Sequence, residues 1–229
     1  MRLHTASHRW LGHQVDTTGA SRPAELALLL AVAALAVLAA LLPATGLPAG
    51  YHHFADQRTL LSLPHALDVL SNLPFAAMGA WGLWWLRRVP LDRLGTAQRG
   101  LAGLLFIGLI ATAFCSSGYH LDPHDAGLCI DRVGMSLAFA GLLGLAAADR
   151  ISARAGVALA ALVAVAAPAT ALVAWLGGNM TPWAVLQGGG AALLLVLVLI
   201  NYRLRAHPLA AHSREPADLA ATRFAPLGK

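Results

Sequence analysis

Charge is scarce in this sequence. Only 12% of its 229 residues are charged, 16 Lys+Arg against 11 Asp+Glu, too few to coat a soluble domain of that size. With 58% hydrophobic residues and a mean hydropathy of +0.64, the shortage excludes a water-soluble globular fold and implies an integral membrane protein. Cysteine is scarce too: Cys115 and Cys129 allow one disulfide if their compartment is oxidising, and otherwise read as small apolar fillers. Also missing is a soluble face of interleaved aromatic and basic residues. The net charge of +5 therefore does not point to nucleic acid, because the arginines flank apolar runs.

Long apolar runs are what the sequence has instead. A membrane-spanning helix needs about 20 mostly apolar residues. Six windows qualify, approximately Ala24 to Pro43, His65 to Leu86, Leu101 to Ser117, Leu128 to Ala148, Ile151 to Leu176 and Pro182 to Leu204. The expected fold is all-α: a polytopic membrane helical bundle of about six transmembrane helices over 24–204. Residues 1–23 form an N-terminal segment and 205–229 a polar, basic tail expected to be disordered. The first run, "AELALLLAVAALAVLAALL", is longer than the roughly 7–15 residues of a secretory signal core. The "LPATG" after it lies far from the C-terminus, where a sorting motif belongs, and reads as chance. The glycines of "GGG", Gly188 to Gly190, suit close helix packing.

Fourteen of the 16 basic residues fall on one side of these spans, and only Arg58 and Arg132 on the other. The positive-inside rule then puts both termini in the cytoplasm, in a bacterial cell at the inner membrane. The opposite, outer-leaflet side collects the polar chemistry: His52, His53, Asp56, His65, Asp68, Asn72, Ser116, His120, Asp122, His124, Asp125 and Asp131. On span 2, His65, Asp68 and Asn72 stand at i, i+3 and i+7 and share a helical face. On span 3, Ser116 and His120 share a face if the helix runs past Tyr119. Ionisable groups inside a span are costly unless they face a bundle interior or a wet cavity, so these faces are expected to converge on a polar pocket. Blander readings exist for each. "YHHFADQR" suits a solvated interfacial turn, Asp122, His124 and Asp125 a turn around Pro123, and Asp131 with Arg132 an ion pair at a helix start. Asp68 with Asn72 suits an interhelical hydrogen-bonding pair.

Ser116, His120 four residues on and Asp131 in "DRVGM" together resemble the alkaline ceramidases and the wider CREST superfamily of seven-helix membrane hydrolases. "LDVLSNLPF" resembles the "SNL" segment of their first core helix, and "YHHFADQR" the loop before it in bacterial ceramidase-like proteins. The resemblance covers Tyr51 to about Leu204, in the register of the first five core helices. It implies zinc-dependent cleavage of an amide bond in a ceramide-like or other lipid. His120 would be a zinc ligand, Ser116 an orienting hydroxyl and Asp131 the proton acceptor for metal-bound water, with Asp68 and Asn72 in the pocket. Three protein ligands plus water would make an open catalytic zinc site.

The family's H-x3-H pair on its last helix has no counterpart after the sixth window, where His207 and His212 are five apart, interrupted by Pro208 and expected on the cytoplasmic side. The sixth and seventh core helices have no counterpart either. The histidines on the right side to complete a site are His65, His124, His52 and His53. No calcium is expected, since the loop before span 2 offers mainly imidazole. The expected partner is therefore a membrane lipid, as the substrate of a zinc amidase or as the ligand of a non-catalytic or truncated relative. A small transporter is disfavoured, because the fifth and sixth windows are almost wholly apolar.

Overall fold

The computed structural model describes residues 21–212, with side chains from 22 to 199. The expectations for most of residues 1–23, for the tail beyond His212 and for the side chains of His207 and His212 lie outside the described residues. Among the described residues seven helices follow in order: α1 Ser21–Leu41, α2 Ala66–Leu70, α3 Leu73–Arg88, α4 Thr96–Leu121, α5 Asp125–Arg150, α6 Ala153–Gly177 and α7 Thr181–His212. The described chain is an all-α bundle. Five of its helices, α1, α4, α5, α6 and α7, are long and apolar enough to cross a membrane.

The second expected span is not one helix. It breaks at Ser71 and Asn72 into the 5-residue α2 and the 16-residue α3. Pro74 gives the reason. It lacks a backbone N–H and sits in the first turn of α3, where none is required, so the run restarts there. At about 1.5 Å per residue α3 spans roughly 24 Å, short of a hydrocarbon core of about 30 Å. The shared face expected for His65, Asp68 and Asn72 is therefore interrupted. His65 precedes α2 in a left-handed conformation (φ 47°), and Asn72 leads into α3.

Buried α5 is the hub of the bundle, packing most extensively on α4 and then on α6. Both contacts depend on missing side chains. A Cβ on Gly108 of α4 would lie 2.1 Å from the Ala138 backbone nitrogen of α5, and one on Gly156 of α6 would lie 2.5 Å from the Gly144 carbonyl oxygen. Lipid-facing surfaces give no hydrophobic drive for helix association, so such close van der Waals approach carries it. In "GGG", Gly189 admits Leu35 of α1 and Gly190 admits Phe139 of α5, while Gly188 meets nothing. Polar contacts fix α1 at both ends. Glu25 accepts from Ser152 and Arg154 at the start of α6, and Thr181 Oγ1 donates to the Pro43 carbonyl at 2.7 Å. Thr45 of "LPATG" accepts from the Met180 N–H at 2.7 Å, so this motif is a structural junction.

Candidate functional site at the α4–α5 turn

α4 runs unbroken to Leu121 and so carries Ser116, Tyr119 and His120 in its last two turns. The chain reverses through Asp122–Pro123–His124, and α5 returns with Asp125 in its first turn and Asp131 beyond it. Ser116 and Asp131 are each 8% exposed. Ser116 and His120 are both close enough to the Asp131 carboxylate to interact with it electrostatically. Ser116, His120 and Asp131 are thus brought together, as their spacing suggested.

Three buried polar atoms at this end have no hydrogen-bond partner among the described residues: His120 Nδ1, Asp131 Oδ1 and Asp68 Oδ2. They come from α4, α5 and α2. A long bond from Ser117 Oγ to the Val69 carbonyl, 3.4 Å, links α2 to α4. Leaving such a group unpaired costs about 1–3 kcal/mol. Asp68 and Asn72 do not pair through their side chains. Asn72 Nδ2 donates to the Asp68 main-chain carbonyl at 3.0 Å, which leaves the carboxylate free.

The loop before α2 folds over the site. Phe54 lies with its ring centroid 4.6 Å from His120, 5.3 Å from His65 and 5.4 Å from Tyr119, so it stands among these rings. His52 bridges two helices. Its Nε2 donates to Asp125 Oδ1 at 2.9 Å, and the Tyr119 hydroxyl donates to its Nδ1 at 2.9 Å in the neutral tautomer. Asp56 accepts from the Leu67 N–H at 2.8 Å and from the Arg58 N–H at 3.2 Å, capping the start of α2 that His65 cannot cap. The Leu67 bond, helped by Arg58, holds the Asp56 carboxyl below its usual range. These contacts replace the solvated turn as the account of His52 and Asp56. His52, His53 and His65 line an open cleft of about 470 Å³ with Gln57 and Pro123.

The residues can be tested against a three-ligand zinc centre. His120 Nδ1 is available. Both nitrogens of His52 are engaged, whereas His65 and His124 each donate Nδ1–H to a carbonyl, of Asp56 at 2.7 Å and of Asp122 at 2.6 Å, which leaves Nε2 of each able to ligate. Among the described residues no three His, Cys, Asp or Glu side chains converge as a metal site requires. The spacing H-x3-H does occur at His120–His124, but the helix ends between the two, and half-exposed His124 leads into α5. It occurs again at His4–His8, outside the described residues. The described donor set therefore does not fit a closed three-ligand zinc site. Cys115 and Cys129 are both free.

Tyr119 and Phe54 are the site residues that sequence reasoning missed. Each adjoins a singled-out group, Tyr119 beside His120 and Phe54 after His53, and aromatic residues inside a polar cluster were the available signal. Asp131 and Arg132 point to different neighbours. Arg132 donates to Met180 Sδ at 3.1 Å and lies 5.3 Å from the Trp183 ring, away from the proposed ion pair.

No family model, curated protein or solved structure matches the chain. The resemblance to the ceramidases accordingly rests on the residues quoted for it.

Proposed function

We propose that the protein is an integral membrane hydrolase of the ceramidase type, cleaving the amide bond of a ceramide-like or other lipid near the outer leaflet, with both termini in the cytoplasm. The observation that carries this reading is the grouping of Ser116, His120 and Asp131, with His120 Nδ1 and Asp131 Oδ1 buried and unpartnered among the described residues. Asp131 accepts the proton of a water whose oxygen attacks the amide carbonyl carbon. The C–N bond then breaks, and the leaving nitrogen takes that proton, giving a fatty acid and a long-chain amine. Ser116 orients the Asp131 carboxylate, and His120 presents its free nitrogen to the reacting group.

No step is routed through zinc, because no three His, Cys, Asp or Glu side chains among the described residues converge as a metal site requires. A second reading, a non-catalytic relative whose pocket only binds lipid, is favoured by that incomplete donor set and by the Phe54 ring against His120.

One experiment separates the two. Purified full-length protein in nanodiscs is incubated with a fluorescent ceramide, and metal content is measured on the same sample. Hydrolysis lost at least about 100-fold in Asp131→Asn and His120→Ala supports the hydrolase. No hydrolysis by the parent, with ceramide binding that still depends on His120, supports the binding pocket. Stoichiometric zinc that disappears in His120→Ala would assign the metal that the resemblance implies.

A further inference from the structure

Arg132 is 4% exposed and lies in a helix long and apolar enough to span a membrane. A cation held there is costly unless something of opposite charge meets it. Among the described residues it meets the weak acceptor Met180 Sδ and the face of Trp183. No carboxylate or carbonyl among the described residues accepts from its guanidinium, although the neighbouring Asp131 interacts with it through space. Cation–π contact and a thioether do not replace the two parallel N–H···O bonds that a guanidinium makes with an oxyanion.

Arg132 also lines a cavity of about 260 Å³. Leu47, Leu128, Ala174 and Trp175 form its apolar part, beside a polar part to which Asp125 and Arg132 contribute. Trp175 is 46% exposed and its neighbour Leu176 is 74% exposed, so this wall continues onto the outer surface of α6. The one anionic group in the lining is Asp125, whose Oδ1 is occupied by His52 Nε2 at 2.9 Å. The cavity lies between α5 and α6 near the start of α7, whereas Ser116, His120 and Asp131 gather where α5 meets α4.

We propose that this cavity is a separate binding site for an anionic amphiphile: a lipid whose phosphate or carboxylate oxyanion pairs with Arg132 while its tail leaves along Trp175 and Leu176. A buried guanidinium with no hydrogen-bonded oxyanion among the described residues supplies the charge, and the apolar side chains Leu47, Leu128 and Trp175, continuing onto the exposed face of α6, supply the fit. A free inorganic anion would satisfy the guanidinium and leave the apolar wall unused.

Full-length protein is exchanged into neutral detergent with equal amounts of dioleoyl phosphatidic acid and dioleoyl phosphatidylcholine. Retained lipid is counted by native mass spectrometry, with and without millimolar inorganic phosphate. The expected result is a preference for phosphatidic acid of about tenfold that phosphate does not displace, falling to parity in Arg132→Gln. Asp125→Asn removes the one competing negative charge of the cavity and is expected to raise retention of phosphatidic acid about threefold, a gain that misfolding cannot produce. Equal retention of the two lipids by the parent overturns the proposal, as does an unchanged preference in Arg132→Gln or weaker retention in Asp125→Asn. Displacement by inorganic phosphate overturns the lipid as occupant.

Discussion

At the scale of single residues, the site is an arrangement of side chains whose partners lie far off in sequence. Tyr119, His52 and Asp125 form a hydrogen-bonded series across 67 and 73 residues. Tyr119→Phe removes the hydroxyl that satisfies His52 Nδ1 and should cost about 0.5–1.5 kcal/mol, read as a lowered midpoint in thermal unfolding in detergent. Asp56 acts differently, through its charge. Its folded-state pKa lies below the ordinary 3.8, so its stabilisation of the loop is fully present above that value and is lost as pH falls through the depressed one. Protection against hydrogen exchange in 51–67, taken relative to the intrinsic rate at each pH, should be steady between about pH 5 and 8 and fall in acid below about pH 4. Asp56→Asn should exchange faster at neutral pH and lose that acid step. The Ser116–His120 pairing was legible in the sequence because both sit on one α4 face and the helix continues past Tyr119. The covering by Phe54 was not legible, since the 42–65 loop, in which Leu61, Ser62 and His65 take positive φ, carries no periodicity to say where its side chains go.

At the scale of elements, hydropathy located every long helix but could not detect a change of direction inside an apolar window. His65 to Leu86 reads as one span because Ser71 and Asn72 hardly lower its mean, while Pro74 two residues later marks a helix start that averaging hides. Local helix signals therefore outweigh hydropathy at that break. Helix contacts were legible only as small residues, without their partners. Gly108 shows what the partner adds. Gly108→Ala would set a methyl 2.1 Å from backbone of α5, which has no flexible end to yield, so α4 and α5 must separate. The expected loss is about 1–3 kcal/mol. Gly188, exposed on α7, has nothing within 4 Å of its hypothetical Cβ. Gly188→Ala should be neutral or stabilising by up to about 1 kcal/mol. Thermal unfolding of the two variants beside the parent measures the difference, and equal midpoints would remove close packing as the basis of the α4–α5 contact.

At the scale of the whole molecule, the basic residues and the polar cluster belong to opposite ends of the bundle. Arg22, Arg87, Arg88, Arg93, Arg99, Arg150 and Arg154 lie at or near helix ends on one side, where Glu25 of α1 meets Arg154 of α6. The 42–65 loop, the α4–α5 turn and the α6–α7 junction lie at the other, joined by His52–Asp125 and Thr181–Pro43. Membrane insertion responds to Lys and Arg in short loops near span ends, and the proposed orientation, with the Arg-rich end inward, rests on this asymmetry. The consequence for function is direct: lipid would reach the α4–α5 site from the outer leaflet. Alkaline phosphatase inserted after Gly50 should then be active, and inserted after Leu91 inactive, with a green fluorescent protein at the same positions giving the reverse. Replacing Arg87, Arg88 and Arg93 with Gln while adding three arginines to the 42–65 loop should weaken or invert that pattern. If the unaltered protein instead gives active phosphatase at Leu91, the site opens inward and its lipid must come from the cytoplasmic leaflet, whatever chemistry it performs.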